Sequence, residues 1–209
     1  MMSKQRKKVY ILNYGLNNIR SLYSAFSYIG ANPVVIDKSS SIKKTDYLVL
    51  PGVGAFSKGI ENLKAMGYYD EILNHNLKNK PLLGICLGMQ MMFNESEEFG
   101  KHIGLGLIEG KVKKLPNEIK MKLPNVGWYS LEIQNNSWNK LNLDKSSKYY
   151  FNHGYYCEPE DNSSVMSISK YGTFKFCSSF KKDSLMGSQF HPEKSSLKGL
   201  NFLKIFINN

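Results

Sequence analysis

The first half of the chain alternates short apolar runs with segments of helical periodicity, and this alternation limits the possible folds more than any other feature. The apolar runs predict strands at residues 9–12, 33–36, 47–50 and 81–85. Strands that are apolar along nearly their whole length are typical of a parallel sheet covered on both faces. The pattern therefore predicts an α/β fold with helices on both sides of the sheet.

Apolar residues at helical spacing predict the elements that connect these strands. A first helix is indicated by Ile19, Leu22, Phe26 and Ile29. Its N-cap is predicted to be Asn17 or Asn18, since asparagine is favoured there. Further helices are predicted over 58–78, from Leu87 onward and over 197–207, the last with three residues facing inward: Leu200, Leu203 and Phe206.

The second half is richer in strands. Strand-like runs punctuated by Asn, Gly and Ser occupy residues 110–115, 148–151, 165–168, 173–180 and 185–190. The polar stretch 134–148 is predicted to be a surface loop, and no linker or repeat divides the chain. We therefore expect one α/β domain over residues 1–209, with a mostly parallel central sheet flanked by helices and a β-rich later half.

Composition excludes several classes of protein. The net charge is +11, but 26 of the 28 basic residues are lysines scattered along the chain, so we expect no nucleic-acid partner. No run approaches the roughly 18 apolar residues of a membrane-spanning helix, so no membrane association is expected. Neither a signal-type cleavage site nor a disulfide pattern is present, which predicts a cytoplasmic location.

The segment around Cys86 carries the most specific chemical signal. Gly84 and Gly88 lie two residues to either side of Cys86, between a predicted strand and a predicted helix. This G-x-C-x-G pattern is the cysteine version of a nucleophile elbow, in which a sharp turn presents the reactive atom. The start of the helix at Leu87 would favour the thiolate and offer an N–H group to an oxyanion. The alternative is a buried structural cysteine.

A nucleophilic cysteine needs a base, and residues 189–193 (Gln-Phe-His-Pro-Glu) supply one. In an extended backbone His191 and Glu193 point to the same side, so the carboxylate could orient the imidazole. By itself the pair would more often be a surface pair. A second glycine turn, residues 51–54, follows the third strand and could hold an oxyanion, or it could be an ordinary connection.

The other polar candidates are weaker. His75 is predicted to be solvated in a polar helix, and His102 to lie in a loop. His153 is a candidate wall of a substrate site or a structural residue. A solvated helix end is the expectation for three carboxylates: Glu95, Glu97 and Glu98. No spacing of metal ligands occurs, so no metal and no cofactor is expected.

Taken together, the motifs resemble those of the class I (triad type) glutamine amidotransferases, and most closely the glutaminase subunits of imidazole glycerol phosphate synthase in histidine biosynthesis. The resemblance runs nearly end to end, and its segments are residues 13–18, 51–56, 84–90, 104–107, 127–128, 150–151 and 189–195. It implies an enzyme that hydrolyses glutamine to glutamate and ammonia. It also implies a heterodimer with a (β/α)₈ synthase, to which ammonia passes to make imidazole glycerol phosphate and aminoimidazole carboxamide ribonucleotide.

The resemblance also implies roles for individual residues. Cys86 would attack the glutamine amide, His191 would protonate the departing ammonia, and Glu193 would orient His191. The oxyanion and glutamine would be held, either directly or after the glycine turn rearranges, by Gly52, Val53, Gly54, Leu87, Gln90, Glu98, His153, Gly154 and Tyr155. The synthase would contact Asn13, Asn18, Asn125, Trp128 and Tyr129.

The sequence departs from the family pattern near these contacts. The usual Asp and second Gly of the opening motif are Asn13 and Asn17, and the usual His of the Pro-His-Met-Gly-Trp-Asn motif is Asn125. Gly154 replaces the usual Ser or Thr. A paralogue that feeds ammonia to another synthase, such as one that amidates a surface sugar, is therefore an alternative. A non-catalytic regulatory subunit and a stand-alone cysteine hydrolase are further alternatives, although all three triad residues are present.

Overall fold

The structure is a computed structural model that describes residues 6–44, 46–116, 122–134 and 147–208. The predicted loop 134–148 lies outside the described residues except at its ends. Fourteen strands are present in this part of the chain: β1 Lys8–Leu12, β2 Asn32–Ile36, β3 Tyr47–Leu50, β4 Leu82–Ile85, β5 Phe93–Ser96, β6 His102–Ile103, β7 Ile108–Lys114, β8 Asn125–Ser130, β9 Glu132–Ile133, β10 Lys148–His153, β11 Tyr155–Pro159, β12 Val165–Tyr171, β13 Phe174–Lys182 and β14 Leu185–Ser188.

Twelve of these strands form one sheet, with β2, β1, β3, β4, β14, β13, β11, β7, β5 and β6 side by side. The five strands from β2 to β14 are parallel to one another, whereas β13, β11 and β7 follow in antiparallel pairings. A separate antiparallel pair joins β8 to β10. The α/β prediction, with its parallel central sheet and β-rich later half, is confirmed.

Burial on both faces of the sheet explains why its strands are apolar throughout. In β3, Leu48 and Leu50 belong to one buried hydrophobic cluster, and Val49, between them, belongs to the cluster on the opposite face. Successive strand residues point to opposite faces, so both faces need apolar residues. Cys157 and Cys177 pair directly across β11 and β13, where both are buried free thiols.

Helices cover the sheet at α1 Ile19–Tyr28, α2 Phe56–Ala65, α3 Tyr68–Leu77, α4 Leu87–Met91 and α5 Ser196–Asn208. The predicted helical region 58–78 is interrupted at Gly67, whose φ of +68° lies in the left-handed region. Asn18 occupies the N-cap position of α1 but makes no side-chain capping bond, and the Asn17 amide donates to the Leu12 carbonyl instead. Within the described residues no helix is long and apolar enough to span a membrane.

Three expectations about polar residues are wrong. His102 lies in the short strand β6 and not in a loop. Glu95 does not lie at a helix end, because α4 is short and the chain then pairs with β7 as strand β5. Its carboxylate bonds to Lys101 and Lys111 across the neighbouring strands. His75 is 3% exposed rather than solvated, and its Nε2 lies 3.1 Å from the Pro81 carbonyl oxygen.

The topology brings the chemically informative segments to one edge of the sheet. Because β3, β4 and β14 are parallel neighbours, their carboxyl ends lie side by side. Pro51, Cys86 and Gln189 are the residues that directly follow these strands. Ligand sites of open α/β sheets form at this edge.

Candidate active site

Cys86 lies in a sharp turn between β4 and α4. Its φ of 53° and ψ of −108° are rarely adopted by residues other than glycine, so the surrounding packing must hold the strain. Gly88 is required beside it, because a Cβ there would lie 1.8 Å from the Leu50 carbonyl oxygen. A Cβ at Gly84 would meet the Met89 backbone at 2.7 Å. The two glycines therefore allow the elbow to pack against its neighbours.

The Cys86 sulfur lies beside a cleft instead of being sealed in the core. The residue is 6% exposed and lines a cavity of about 140 Å³. Its Sγ lies 3.8 Å from the Asn152 carbonyl oxygen and 3.8 Å from the Gln189 side-chain nitrogen. The thiol therefore lies beside a small polar cavity. A purely structural cysteine would not be expected in such a position.

His191 and Glu193 lie in direct contact behind this sulfur. The Nδ1 atom of His191 is 2.9 Å from Oε1 of Glu193, and their side chains are only 4% and 2% exposed. The predicted extended backbone ends at His191, because residues Pro192–Lys194 form a short 3-10 turn. This turn, and not strand alternation, brings the carboxylate back to the imidazole.

Ser195 fixes this turn and was not singled out from the sequence. Its hydroxyl donates to the His191 carbonyl and accepts from the Tyr150 N–H group at 3.0 Å. The His191 N–H group in turn donates to the Tyr150 carbonyl at 2.8 Å. The imidazole is therefore held by β10 as well as by its own segment.

The charge environment of His191 favours the imidazolium. Burial by itself would lower the pKa of His191, but the negative charge and hydrogen bond of Cys86 and those of Glu193 outweigh burial. The pKa of His191 is consequently raised to about 10 from its ordinary value of 6.5. A thiolate and imidazolium pair with a carboxylate behind the ring is the ionic state that a cysteine nucleophile needs.

The cleft collects nearly all residues that the resemblance implied for glutamine and the oxyanion. Its lining consists of Val53, Gly54, Cys86, Leu87, Gln90, Glu98, Asn152, His153, Gly154 and Tyr155. Gly52 lies next to it, and Asn152 is the one member that the sequence did not suggest. Asn152 precedes His153 at the end of β10, so the end of that strand is the signal that could have found it.

In the observed conformation of the glycine turn, the N–H groups expected to bind the oxyanion already donate hydrogen bonds to backbone carbonyls. The Leu87 N–H group donates to the Gly52 carbonyl at 3.3 Å, and the Val53 N–H group donates to the Leu16 carbonyl at 2.9 Å. Tyr14 supports the turn from below, with its hydroxyl donating to the Pro51 carbonyl at 2.5 Å. An oxyanion bound at Leu87 would therefore have to displace the Gly52 carbonyl.

Gln90 and Glu98 both line the cleft. The Gln90 amide nitrogen donates to the Tyr155 carbonyl at 2.9 Å and to Oε1 of Gln189 at 3.1 Å. One Glu98 oxygen accepts from the Phe56 N–H group at the start of α2. Both side chains are thus held by protein groups before any ligand binds.

His153 is a buried neutral imidazole. Its Nδ1 lies 2.8 Å from the Tyr155 carbonyl oxygen, which can only accept, so Nδ1 carries the proton. Its Nε2 then accepts from the Asn125 amide at 2.9 Å. Burial, with the positive charge of His191, lowers the pKa of His153 to about 4 despite the bond to Tyr155.

Three of the five residues implied for a partner interface lie on β8, on its two faces. Trp128 is 46% exposed, whereas Asn125 is wholly buried against His153. Tyr129 is half-buried and packs against Phe151. The Asn125 side chain therefore lies behind His153, which lines the cleft, and does not reach the surface. Asn13 and Asn18 are half-buried near the carboxyl end of β1.

Gln189 is a site residue that stands in the Gln-Phe-His-Pro-Glu segment but has no role predicted from the sequence. It is fully buried, and its side chain joins Gln90 to the Cys86 sulfur. A polar amide directly after an apolar strand at the ligand-binding edge is the signal that could have found it. Among the described residues, no group of three or more His, Cys, Asp or Glu is arranged to hold a metal ion.

Comparison with known sequences identifies close relatives. The imidazole glycerol phosphate synthase subunit HisH of Syntrophotalea carbinolica is 41% identical over 203 residues, which cover 95% of this chain and 98% of that protein. The subunit of the same name from Chlorobaculum tepidum is also 41% identical, with the same coverage. The one from Aquifex aeolicus is 40% identical and covers 94% of both chains.

Solved structures with similar folds are more distant in sequence. A crystal structure of a glutamine amidotransferase superposes with a TM-score of 0.76 at 17% identity and covers 96% of this chain and 97% of its own. The structure of PurLQS from Thermotoga maritima gives 0.73 at 19% identity and covers 98% and 99%. The family described as glutamine amidotransferase class-I matches residues 10–208. With a match of that extent, the chain belongs to the class-I glutamine amidotransferase family.

Proposed function

We propose that this chain is the glutaminase subunit of an imidazole glycerol phosphate synthase, with Cys86, His191 and Glu193 as its catalytic triad. The observation that carries the proposal is the chain of contacts that runs from Cys86, beside the cleft, through the His191 imidazole to the Glu193 carboxylate. The curated relatives of about 40% identity, all named as this subunit, support the choice of synthase.

In this proposal the Cys86 thiolate attacks the side-chain amide carbon of glutamine. The His191 imidazolium gives its proton to the departing nitrogen, so that ammonia leaves and a γ-glutamyl thioester remains. Neutral His191 then takes a proton from water, which attacks the thioester and releases glutamate. The net reaction consumes glutamine and water and regenerates both the thiolate and the imidazolium.

Glu193 holds the imidazole through its Nδ1 and stabilises the positive charge. The bond of 2.9 Å and the nearly complete burial of both side chains support this role. Because a buried charge pair interacts more strongly than an exposed one, the carboxylate keeps His191 protonated until ammonia leaves.

The oxyanion is received by the Leu87 N–H group after the Gly52 carbonyl moves away. The hydrogen bond from the Leu87 N–H group to the Gly52 carbonyl has a donor-to-acceptor distance of 3.3 Å. It is longer, and therefore weaker, than the usual backbone hydrogen bond of about 2.9 Å. Gly54, with a φ of +118°, supplies a backbone that no other residue adopts easily. A partner that shifts this turn would raise glutaminase activity.

The partner in this proposal is a (β/α)₈ synthase that accepts the ammonia and forms imidazole glycerol phosphate and aminoimidazole carboxamide ribonucleotide. Exposed apolar side chains near the cleft support such an interface: Val53, Val126 and Trp128. The two subunits would form a heterodimer in the cytoplasm.

Glutamate release tests the proposal, measured for the chain alone and mixed with a candidate barrel subunit and its ribonucleotide ligand. We expect slow hydrolysis alone, faster hydrolysis in the mixture, and a loss of at least about 10³-fold in Cys86→Ala. Cys177→Ala is the matched control, because it removes a buried thiol that bonds to the Ser179 carbonyl and not to His191, and it should retain activity. Activity that persists in Cys86→Ala would refute the nucleophile.

The identity of the partner is tested separately. If the chain hydrolyses glutamine but is activated only by a synthase of another pathway, the glutaminase holds and the histidine pathway does not. A folded chain that hydrolyses no glutamine with any barrel subunit would instead indicate a regulatory protein on the same fold.

A further inference from the structure

The Gln189 side chain lies on the same side of its segment as His191. Gln189 follows β14 directly, is fully buried, and donates its backbone N–H group to the Ser178 carbonyl at 2.9 Å. Phe190, between them, packs in a buried hydrophobic cluster against the rings of Tyr149 and Phe202. Gln189 and His191 both contact Cys86 from the segment that follows β14.

The orientation of the Gln189 amide is fixed by the Tyr155 backbone carbonyl, which acts through the side chain of Gln90. The Tyr155 carbonyl oxygen can only accept, so the Gln90 group that faces it at 2.9 Å must be the amide nitrogen. That nitrogen also lies 3.1 Å from the Gln189 side chain, which must therefore present its oxygen to Gln90. The Gln189 amide nitrogen is thus turned toward the Cys86 sulfur.

This order of donors matters because an amide can be turned either way. In the observed orientation an N–H group points at the sulfur from 3.8 Å, which favours a negatively charged sulfur. In the reverse orientation a carbonyl oxygen would face it and repel the thiolate. The neutral thiol has a different partner, the Asn152 carbonyl oxygen at 3.8 Å, which can accept the S–H proton.

We propose that Gln189 is a positioning residue for the nucleophile, holding the Cys86 thiolate in place through its amide N–H group, with its own orientation set by Gln90 and the Tyr155 carbonyl. This inference deepens the proposed glutaminase function and rests on Cys86 being the nucleophile. Its contribution is separate from that of His191, since Gln189 exchanges no proton with the sulfur.

Alkylation of Cys86 by iodoacetamide tests the inference without glutamine or a partner. Peptide mass spectrometry follows the rate at Cys86 over a range of pH in the full chain. In Gln189→Leu we expect alkylation at neutral pH to slow by about tenfold and its pH midpoint to move upward, because a hydrogen bond to a charged group is lost. With a barrel subunit present, kcat should fall while KM for glutamine stays within about twofold.

Gln189→Glu serves as the second variant, since it keeps the shape of the side chain and can still accept from Gln90. It should slow alkylation further, because an oxygen then faces the sulfur. Gln134→Leu is the matched control: Gln134 is exposed, and the substitution should leave the alkylation profile unchanged. Thermal unfolding establishes that each variant is folded.

The two proposals fail in different ways. Alkylation profiles of Gln189→Leu and Gln189→Glu that coincide with the unsubstituted chain would overturn the role of Gln189, whatever the glutaminase assay gives. Slower alkylation in both variants of a chain that releases no glutamate would retain that role and overturn the proposed function.

Discussion

Two buried histidines lie near Cys86 on two walls: His191 follows the parallel strand β14, and His153, which lines the cleft, ends β10. Their imidazoles are held in opposite charge states. On the wall of the parallel strands, the pKa of His191 is raised to about 10. On the wall at the end of β10, which pairs with β8, the pKa of His153 is lowered to about 4. Both residues are at most 4% exposed, so burial alone does not distinguish them.

The difference lies in the partners of the ring nitrogens. His191 faces the Glu193 carboxylate and the Cys86 sulfur, which both favour a positive ring. His153 faces the Asn125 amide, which donates to Nε2 and so requires that nitrogen to be unprotonated. Residue type therefore says less about the chemistry of a histidine than the donor or acceptor placed against each nitrogen.

The largest change should follow from removing the charge behind His191. In Glu193→Gln the amide can still accept from Nδ1, but the negative charge is gone, so the imidazolium is less stable. We expect kcat/KM for glutamine to fall by about 10³-fold, equivalent to about 4 kcal/mol of transition-state stabilisation. The pKa of His191 should fall as well, as followed by the NMR titration of its ring.

Glu61→Gln is the control for that substitution, because Glu61 is an exposed carboxylate that pairs with Lys58 on α2. It should leave both activity and the titration of His191 unchanged. Activity of Glu193→Gln within twofold of the unsubstituted chain would mean that the carboxylate does not act on the base.

The two histidines should also make the free energy of unfolding depend on pH in opposite directions. For His153, the folded pKa of about 4 lies below the ordinary value of 6.5, so below pH 6.5 the unfolded chain binds a proton that the folded chain excludes. Its contribution to stability is therefore present above pH 6.5 and is lost as the pH falls toward 4. For His191, with its raised pKa, the contribution is present below pH 6.5 and is lost as the pH rises toward 10.

Urea unfolding at about pH 7 and about pH 4.5 measures the His153 part of this dependence. His153→Gln should reduce the loss of unfolding free energy between the two by about 2 kcal/mol. His102→Gln, a substitution of the same type on the short strand β6, should retain the full loss. Equal losses in the unsubstituted chain and in His153→Gln would show that His153 is not a buried neutral group.

The sequence predicted the wall of Cys86 and His191 better than the wall of His153, and the reason is physical. Cys86, His191 and Glu193 stand in short motifs whose chemistry depends on neighbours in the chain. The strand β8 was not predicted, so the alternation that buries Asn125 and exposes Trp128 could not be used. A contact such as Asn125 to His153 depends on the pairing of β8 with β10, which no local pattern reports.

The wrong expectations have the same origin. The polar residues Glu95, Glu97 and Glu98 read as a helix end, because local polarity does not reveal that β5 will pair with β7. His75 read as solvated, because its contact with Pro81 forms only when α3 turns into β4. The parallel strands themselves were predicted well, since burial on both faces leaves a local signature.

A smaller effect should follow if the second wall is made to resemble the first. Asn125→Asp places a carboxylate against Nε2 of His153, where two lone pairs would meet unless the ring gains a proton. We expect the pKa of His153 to rise above neutrality, seen in its NMR titration, and stability to fall by about 2 kcal/mol because a buried charge pair must be desolvated. Asn125→Leu, which adds no charge, should leave the ring neutral at pH 7. A neutral His153 in Asn125→Asp would contradict the inference that the partner of each ring nitrogen sets the charge of the imidazole.

The smallest effect should come from changing the shape of the second wall without changing its charge. A Cβ at Gly154 meets no atom within 4 Å, so Gly154→Ser should alter the unfolding free energy by less than about 0.5 kcal/mol. Because Gly154 lines the cleft, the hydroxyl should change KM for glutamine by up to about fivefold and leave kcat nearly constant, as measured by steady-state glutaminase kinetics.

Gly52→Ser provides the contrast for Gly154→Ser, because a Cβ at Gly52 would lie 2.4 Å from the Tyr14 hydroxyl and 2.8 Å from the Leu87 Cβ. The same added side chain should be tolerated on the wall of His153 and should disrupt the turn beside Cys86. A loss of kcat in Gly154→Ser as large as that in Glu193→Gln would mean that the second wall takes part in the chemistry and does not only shape the cleft. A change confined to KM would instead assign the proton transfers to the wall of His191, where the charged groups are.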